Sequence, residues 1–430
     1  MAPAHKCAHP ELQVDVSSHA QEAGFSRPPL PKRQAAATPS GRVNKTSAHD
    51  PSAETAFAFT FPGPLVLPGD ALAVDPKEPP QSLRSFIQET HRNPFTPDRK
   101  TLYLVPTPTI SDELSFMKDW LGPSSVQPPD IREVQDYLTA FYHPLEVKIL
   151  QATVAFIPWE TPISSTPDLV GLQLGKKNVT GIRTRPCPDG AFLRQLNLND
   201  ILDAAIEGLP RDAYAMCMMT DHDLYEDDDD DFCCGRAYGS SRICVVSTAR
   251  YKPQLNEKID RAHMWPASHC KNFVAGLCSE KVAKRKKSRV EVDGAIDIEE
   301  TPIGAAVKAA LKAPDPAQNF YGLWVSRVVR TVSHELGHCL CLGHCSYYAC
   351  VMQSTTSVAE DVRQPPYLCP VCLAKVTRAV LEVSPRTREK EFTIARYEAL
   401  ARACNNWPDV AMFVGFHAWI NKRLSQLRES

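Results

Sequence analysis

A chain of 430 residues, 43% of them apolar and with a formal net charge of -2, can bury a full core and gives no general reason to expect nucleic acid or an anionic membrane as a partner. No apolar run approaches the roughly 18 to 20 residues of a membrane span, and Met1 to Leu12 lacks the apolar core of a signal peptide, which predicts a cytoplasmic, or else nuclear, protein. In that reducing setting fifteen cysteines, an odd number, read as thiols and metal ligands rather than disulfides.

Residues 1–80 hold 13 of the 37 prolines, mixed with Ser, Ala and Thr and without apolar periodicity, and are expected to be disordered. Folded character starts with Leu102-Tyr103-Leu104-Val105, read as a strand. Asp130 then caps a helix, with Glu133 reaching back and Ile131, Val134, Leu138 and Phe141 on one face. Pro144 stops it before a strand at Leu145 to Leu150. A second helix begins at Asn199 and ends at Gly208, followed by strands at Ala213 to Thr220 and Ile243 to Ser247; their continuous apolar character implies burial on both faces. This is the rhythm of an α/β fold.

Two charged runs interrupt it. Glu226 to Asp231 reads as an exposed acidic loop tip, with a calcium site as the alternative, although its adjacent carboxylates lack the spacing of a calcium loop. Lys284-Arg285-Lys286-Lys287, flanked by Lys281 and Arg289, is a soluble basic loop or a nuclear import signal. It lies in residues 252–318, which are charged, Pro-punctuated and read as an insertion or long loop. From Tyr321 apolar residues recur at Trp324, Val325, Val328, Val329, Val332, Leu336 and Leu340, one side of a helix about five turns long. The main folded unit spans 81–380, and 381–430 forms a helical C-terminal part.

The long helix carries His334-Glu335-Leu336-Gly337-His338. Histidines four apart share a helix face and can hold one zinc ion, while Glu335 can reach a zinc-activated water as general base. His344 follows at a spacing from which a turn can return it to the same metal, giving three ligands and an open position. The bland alternative, ordinary polar residues on an amphipathic helix, requires four coincidences at ligand spacing. Next to it Cys345, Cys350, Cys369 and Cys372 form a four-thiolate set that suits a second, structural zinc. Because Cys345 follows His344, that site would pin the turn presenting the third ligand. A redox role for the Cys369–Cys372 pair is the alternative.

The stretch His334 to Cys372, with His344-Cys345, four residues, Cys350-Val351-Met352, then Cys369-Pro370-Val371-Cys372, resembles the signature of the archaemetzincin family. Segments Val134 to Leu150, Leu196 to Tyr225 and Arg236 to Tyr251 resemble it too, so the likeness covers roughly 100–380. The resemblance implies a metzincin-like peptidase domain with a mixed sheet packed on an active-site helix, two zinc ions, a peptide or protein substrate, and Met352 as the methionine of the turn beneath the catalytic metal. Met352 also fits ordinary core filling. One departure stands out: the family has glycine three residues after the second histidine, where this chain has Cys341. Either Cys341 takes the left-handed conformation that ends the helix, at about 1 to 2 kcal/mol, or the turn shifts toward Gly343. Were His344 displaced, Glu360 would be the substitute ligand. The rival class is a non-catalytic zinc-binding protein that uses the cysteine cluster and basic loop to bind a partner or nucleic acid; Glu335 argues against it, since a structural zinc needs no adjacent carboxylate.

Overall fold

The computed structural model describes residue 9 and residues 11–43, 51–160, 164–176, 178–258, 263–279, 297–384 and 386–429. The basic run at 281–289 lies outside these residues.

Among the described residues eleven strands form two sheets. In chain order they are β1 (Thr101–Val105), β2 (Thr109–Ile110), β3 (Val147–Ile149), β4 (Val154–Ile157), β5 (Leu169–Leu174), β6 (Asn178–Pro186), β7 (Arg194–Asn197), β8 (Ala213–Thr220), β9 (Leu224–Tyr225), β10 (Gly235–Tyr238) and β11 (Ile243–Ser247). The main sheet has the order β10-β11-β8-β1-β3. Its strands run parallel except β10, which is antiparallel and lies at one edge. Every residue of β8 and β11 is buried. Alternation along β8 explains this: Ala215, Cys217 and Met219 face the core that holds the helix Phe320–Cys339, whereas Met216 and Met218 face the core under the helix Leu198–Glu207.

The second sheet, β2-β4-β5-β6-β7-β9, is mostly antiparallel and closes over the helix Leu198–Glu207. Sequence reading missed it, because its strands carry interleaved polar and charged residues and only one apolar face. That helix is capped by Asn197, whose side chain accepts from the Asp200 amide, two residues before the expected start. The acidic run Glu226–Asp231 is a mostly exposed loop held from behind: Arg185 donates to the Asp227 carbonyl (3.0 Å) and Gln195 to that of Asp231 (2.8 Å). Among the described residues it does not gather into a metal-binding cluster.

Two expectations need correction. The described part of residues 1–80 is ordered and packed: Leu12 and Phe61 belong to the main core, Ala20, Phe25, Val66 and Leu72 form a small core of their own, and Ser17 Oγ donates to the Val66 carbonyl at 2.6 Å. Its apolar residues contact partners far away in the chain, so no local period marks them. Residues 252–318 are likewise not simply a loop in their described parts. Trp265, Ile303, Ala306 and Val307 lie in the main core, where the helix Pro302–Ala310 packs along the helix Ala411–Glu429. Phe413, Phe416, Trp419 and Ile420 of that C-terminal helix are fully buried there as well. Among the described residues no helix is long and apolar enough to cross a membrane.

The helix Phe320–Cys339 runs through the centre of the molecule. Asn319 Oδ1 caps it by accepting from the Gly322 amide at 2.8 Å. Two buried arginines fix its rotation: Arg327 donates to Asn256 Oδ1 (2.7 Å) and the Tyr251 carbonyl (3.1 Å), and Arg330 pairs with Asp361 (3.0 Å). Its C-terminal half lies beside β10 and β11.

Candidate metal centres and cleft

The helix stacks His334 and His338 one turn apart, with ring centroids 4.6 Å apart. It then ends in a Schellman turn: Leu342 N donates to Gly337 O (3.1 Å) and Cys341 N to His338 O (2.8 Å). Cys341 sits at the left-handed position with φ +67°, so the side-chain-bearing residue carries the strain and the turn does not shift to Gly343. The reversal brings the His344 ring to 4.8 Å from His338 and 5.5 Å from His334. One donor atom of each of the three histidines lies within 4.8 Å of the others.

Each imidazole is oriented by a bond from Nδ1. His334 donates to the Val351 carbonyl (2.7 Å), His338 to the Leu342 carbonyl (2.7 Å) and His344 to the Glu78 carboxylate (2.6 Å). A carbonyl oxygen can only accept, so the Nδ1 atoms of His334 and His338 carry the protons and their Nε2 atoms present lone pairs. Those two Nε2 atoms face each other at 2.9 Å. Two acceptors at that distance repel unless a cation lies between them, and nitrogens on a tetrahedral zinc are roughly 3.3 Å apart. The donor set therefore fits zinc, and burial favours the neutral ligand form by pushing the His334 imidazole down to about 4.

Glu335 lines the same cleft, a cavity of about 600 Å³ bounded by His334, His338, His344, Arg236 and Tyr251. Without metal, burial pushes its carboxyl up to about 8. Close approach of backbone shapes the cleft: a Cβ on Gly235 would lie 3.2 Å from Glu335 Cγ, and one on Gly239 2.6 Å from the His338 carbonyl. Met352 is fully buried against the helix at Gly337. Its Sδ would lie 2.5 Å from a Cβ at residue 337, so only glycine fits between them.

Cys345, Cys350, Cys369 and Cys372 also converge, each with its sulfur within 4.8 Å of the others and each almost fully buried. Cys369 N donates to Cys350 Sγ at 3.2 Å. Hydrogen bonds from Cys350, Cys369 and Cys372 hold the Cys345 thiol well below the usual thiol range. The segment between the two clusters is rigidly placed, since Cys345 N donates to Met352 O (2.7 Å) and Val351 N to Tyr367 O (2.9 Å).

Two residues beside the site escaped sequence reading, Glu78 and Gln81. Besides accepting from His344, Glu78 accepts from Ser354 Oγ (2.9 Å). Gln81 clamps the helix-ending turn, donating from Nε2 to the Cys341 carbonyl (3.0 Å) and accepting from the Gly343 amide (2.9 Å) and Lys375 (2.8 Å). Both lie in or next to the Pro-rich stretch, whose composition hid them. Glu360, the substitute ligand, stands apart from the histidines and accepts from the Ala71 and Thr356 amides (both 2.9 Å). Cys341 is not part of the three-histidine cluster.

The profile of peptidase family M54 matches residues 306–378, the stretch that holds both clusters. Archaemetzincin-2 of Pongo abelii is 24% identical over 347 residues, covering 79% of this chain and 74% of that protein, and archaemetzincin-2 of Homo sapiens is 24% identical over 348 residues with the same coverage. The chain carries the peptidase family M54 stretch and is similar in sequence to the archaemetzincins. By class it is a zinc metallopeptidase, a hydrolase. The archaemetzincin of Aeropyrum pernix is 46% identical over 55 residues, 13% of this chain and 30% of that one. Among solved structures, the archaemetzincin of Methanopyrus kandleri is 19% identical, covers 66% of this chain and 98% of that chain, and has a TM-score of 0.34.

Proposed function

We propose that this chain hydrolyses peptide bonds at the three-histidine cluster, with Glu335 as general base, and that the four cysteines hold a separate structural zinc. The observation that carries the reading is the pair of facing Nε2 atoms on His334 and His338, joined by His344 and flanked by a buried carboxylate in an open cleft. Bound by the three imidazoles, zinc would polarise the scissile carbonyl and lower the pKa of water.

The chain's own groups supply the rest. Glu335 takes the proton of the attacking water and delivers it to the departing amine. The edge position of β10 beside the cleft leaves backbone groups facing the space where a substrate would lie, and an extended peptide can add to such an edge as a further strand. The four-cysteine site closes its coordination with thiolates, has no place for a reacting water, and steadies the segment that presents His344 and Met352. A cytoplasmic or nuclear setting suits its free thiols.

Digestion of a peptide library, read by mass spectrometry, tests this. The unmodified protein should cleave, and E335Q should lose about 10²- to 10⁴-fold in rate while keeping its zinc. Retained cleavage in E335Q would remove Glu335 from the role of base.

A further inference from the structure

Away from both clusters, three more metal-binding side chains meet. The imidazoles of His9 and His263 and the thiol of Cys270 each place one donor atom within 4.8 Å of the other two. His9 and Cys270 are buried. The residues lie more than 250 positions apart at the extremes, so their meeting is a product of tertiary structure and not of a local repeat.

The backbone prepares this meeting. Residues 11–13 lie antiparallel to residues 269–271: Leu12 bridges Cys270, Lys271 N donates to the Glu11 carbonyl (3.0 Å) and Gln13 N to that of His269 (2.7 Å). His269 adds a bond from Nδ1 to the Gln13 carbonyl (3.0 Å), and Lys271 pairs with Glu11 (2.8 Å). Just before this ladder His9 takes a left-handed conformation, φ +46°, which a side-chain-bearing residue adopts against steric strain. That turn sets its ring 5.4 Å from the ring of His263. The His263 ring is itself fixed by stacking on Phe273, at 3.9 Å and 7°.

We propose that His9, His263 and Cys270 bind a further zinc ion that staples the N-terminal segment to the 263–279 segment. The donor set supports the choice of metal. Two imidazoles and one thiolate are borderline-soft ligands of the kind zinc takes, and a hard cation such as calcium or magnesium would want oxygen. Zinc in structural sites is four-coordinate. The fourth position would go to solvent. The staple would add metal-binding energy to the packing of Leu12 and Phe61 in holding this segment, which lacks its own periodicity, in place. The same segment continues to Glu78 and Gln81, which brace His344 and the turn before it.

Native mass spectrometry of the full chain, with elemental analysis to identify the metal, tests the proposal through differences between variants. H9A and C270S should each contain one zinc fewer than the unmodified protein. Either should retain the ion lost in an H334A/H338A double variant, so the two losses add. Proteolytic cleavage within residues 10–40 should accelerate at least tenfold in H9A. A zinc count unchanged by H9A and by C270S overturns the proposal, whatever the count at the other two clusters. Should C270S fail to fold, H9A decides alone, because His9 lies outside the main core.

Discussion

Glu78 accepts a 2.6 Å hydrogen bond from Nδ1 of His344, so a residue of the proline-rich segment orients the third imidazole of the candidate catalytic cluster. The other two imidazoles lean on backbone carbonyls, which cannot be mutated away; only this one depends on a side chain. Removing such an outer partner of a metal-binding histidine typically costs 10- to 100-fold in metal affinity. E78A should therefore weaken zinc binding at the three histidines by about that factor, with little change in melting temperature, because Glu78 is half-buried and outside the core. E78Q keeps an acceptor and should lose less. Competition with a chromogenic chelator gives the affinities, and an E78A protein that holds zinc as tightly as the unmodified one would deny Glu78 this role.

Cys341 occupies the left-handed position of the Schellman turn, at φ +67°, where glycine is free of steric penalty. C341G should relieve roughly 1 kcal/mol of strain and leave stability equal or higher, with zinc content and cleavage preserved. Were the residue in a right-handed helix, the same change would cost about 0.5 to 1 kcal/mol. Urea denaturation separates these signs, and a clear loss of stability would contradict the strained turn. The Gln81 bond to the Cys341 carbonyl offers one reason the strain is tolerated, since it fixes the turn from outside.

The contrast between Cys341 and Glu78 shows what a sequence discloses. The break at residue 341 was legible because a motif of fixed spacing makes one conformation necessary, and the only open question was which residue adopts it. The helix Phe320–Cys339 and the buried strands β8 and β11 were legible for a similar reason: their apolar residues recur with the local period of the element. Glu78, Gln81 and His9 had no such signal. Each acts on a partner more than 250 residues away, within a segment that wraps the molecule instead of forming elements with their own faces, so proline content was read as disorder. The second sheet was missed because short strands with one polar face resemble loops when their partners are unknown.

Cys345, Cys350, Cys369 and Cys372 are the most buried of the candidate clusters, and Cys345 is bonded through its amide to Met352, which packs against Gly337. In C369S/C372S the structural ion should be lost, and the remaining thiols would be stranded in the core. Structural zinc sites contribute on the order of 10 kcal/mol of apparent binding free energy, so the variant should melt far lower or fail to fold. If it folds, its histidine cluster should also bind zinc more weakly, because the turn carrying His344 has lost its anchor. Unchanged zinc content and melting temperature would leave the four thiols without a metal role.

Glu360 supplies a prediction in pH. It is almost fully buried beside Asp70, which is itself buried and paired with Arg363 at 2.6 Å. Burial first, and then the charge of Asp70, push the Glu360 carboxyl up from 4.5 to about 7, against the bonds it accepts from the Thr356 and Ala71 amides. A folded-state value above the unfolded one means that the fold prefers the protonated carboxyl. The stability this contributes is complete below the unfolded value and is lost as pH rises through the folded one. Glutamine mimics the protonated form and cannot ionise. The stability of E360Q relative to the unmodified protein should therefore climb between about pH 4.5 and 7.5 and level off above, for a total gain of roughly 1 to 3 kcal/mol at pH 8 compared with pH 4.5. Urea denaturation of both proteins at several pH values isolates the effect of Glu360 together with Asp70, the carboxylate coupled to it, since distant titrating groups cancel in the difference. A stability difference that does not vary with pH would mean that Glu360 titrates normally and that the amide bonds and Arg363 outweigh burial and Asp70.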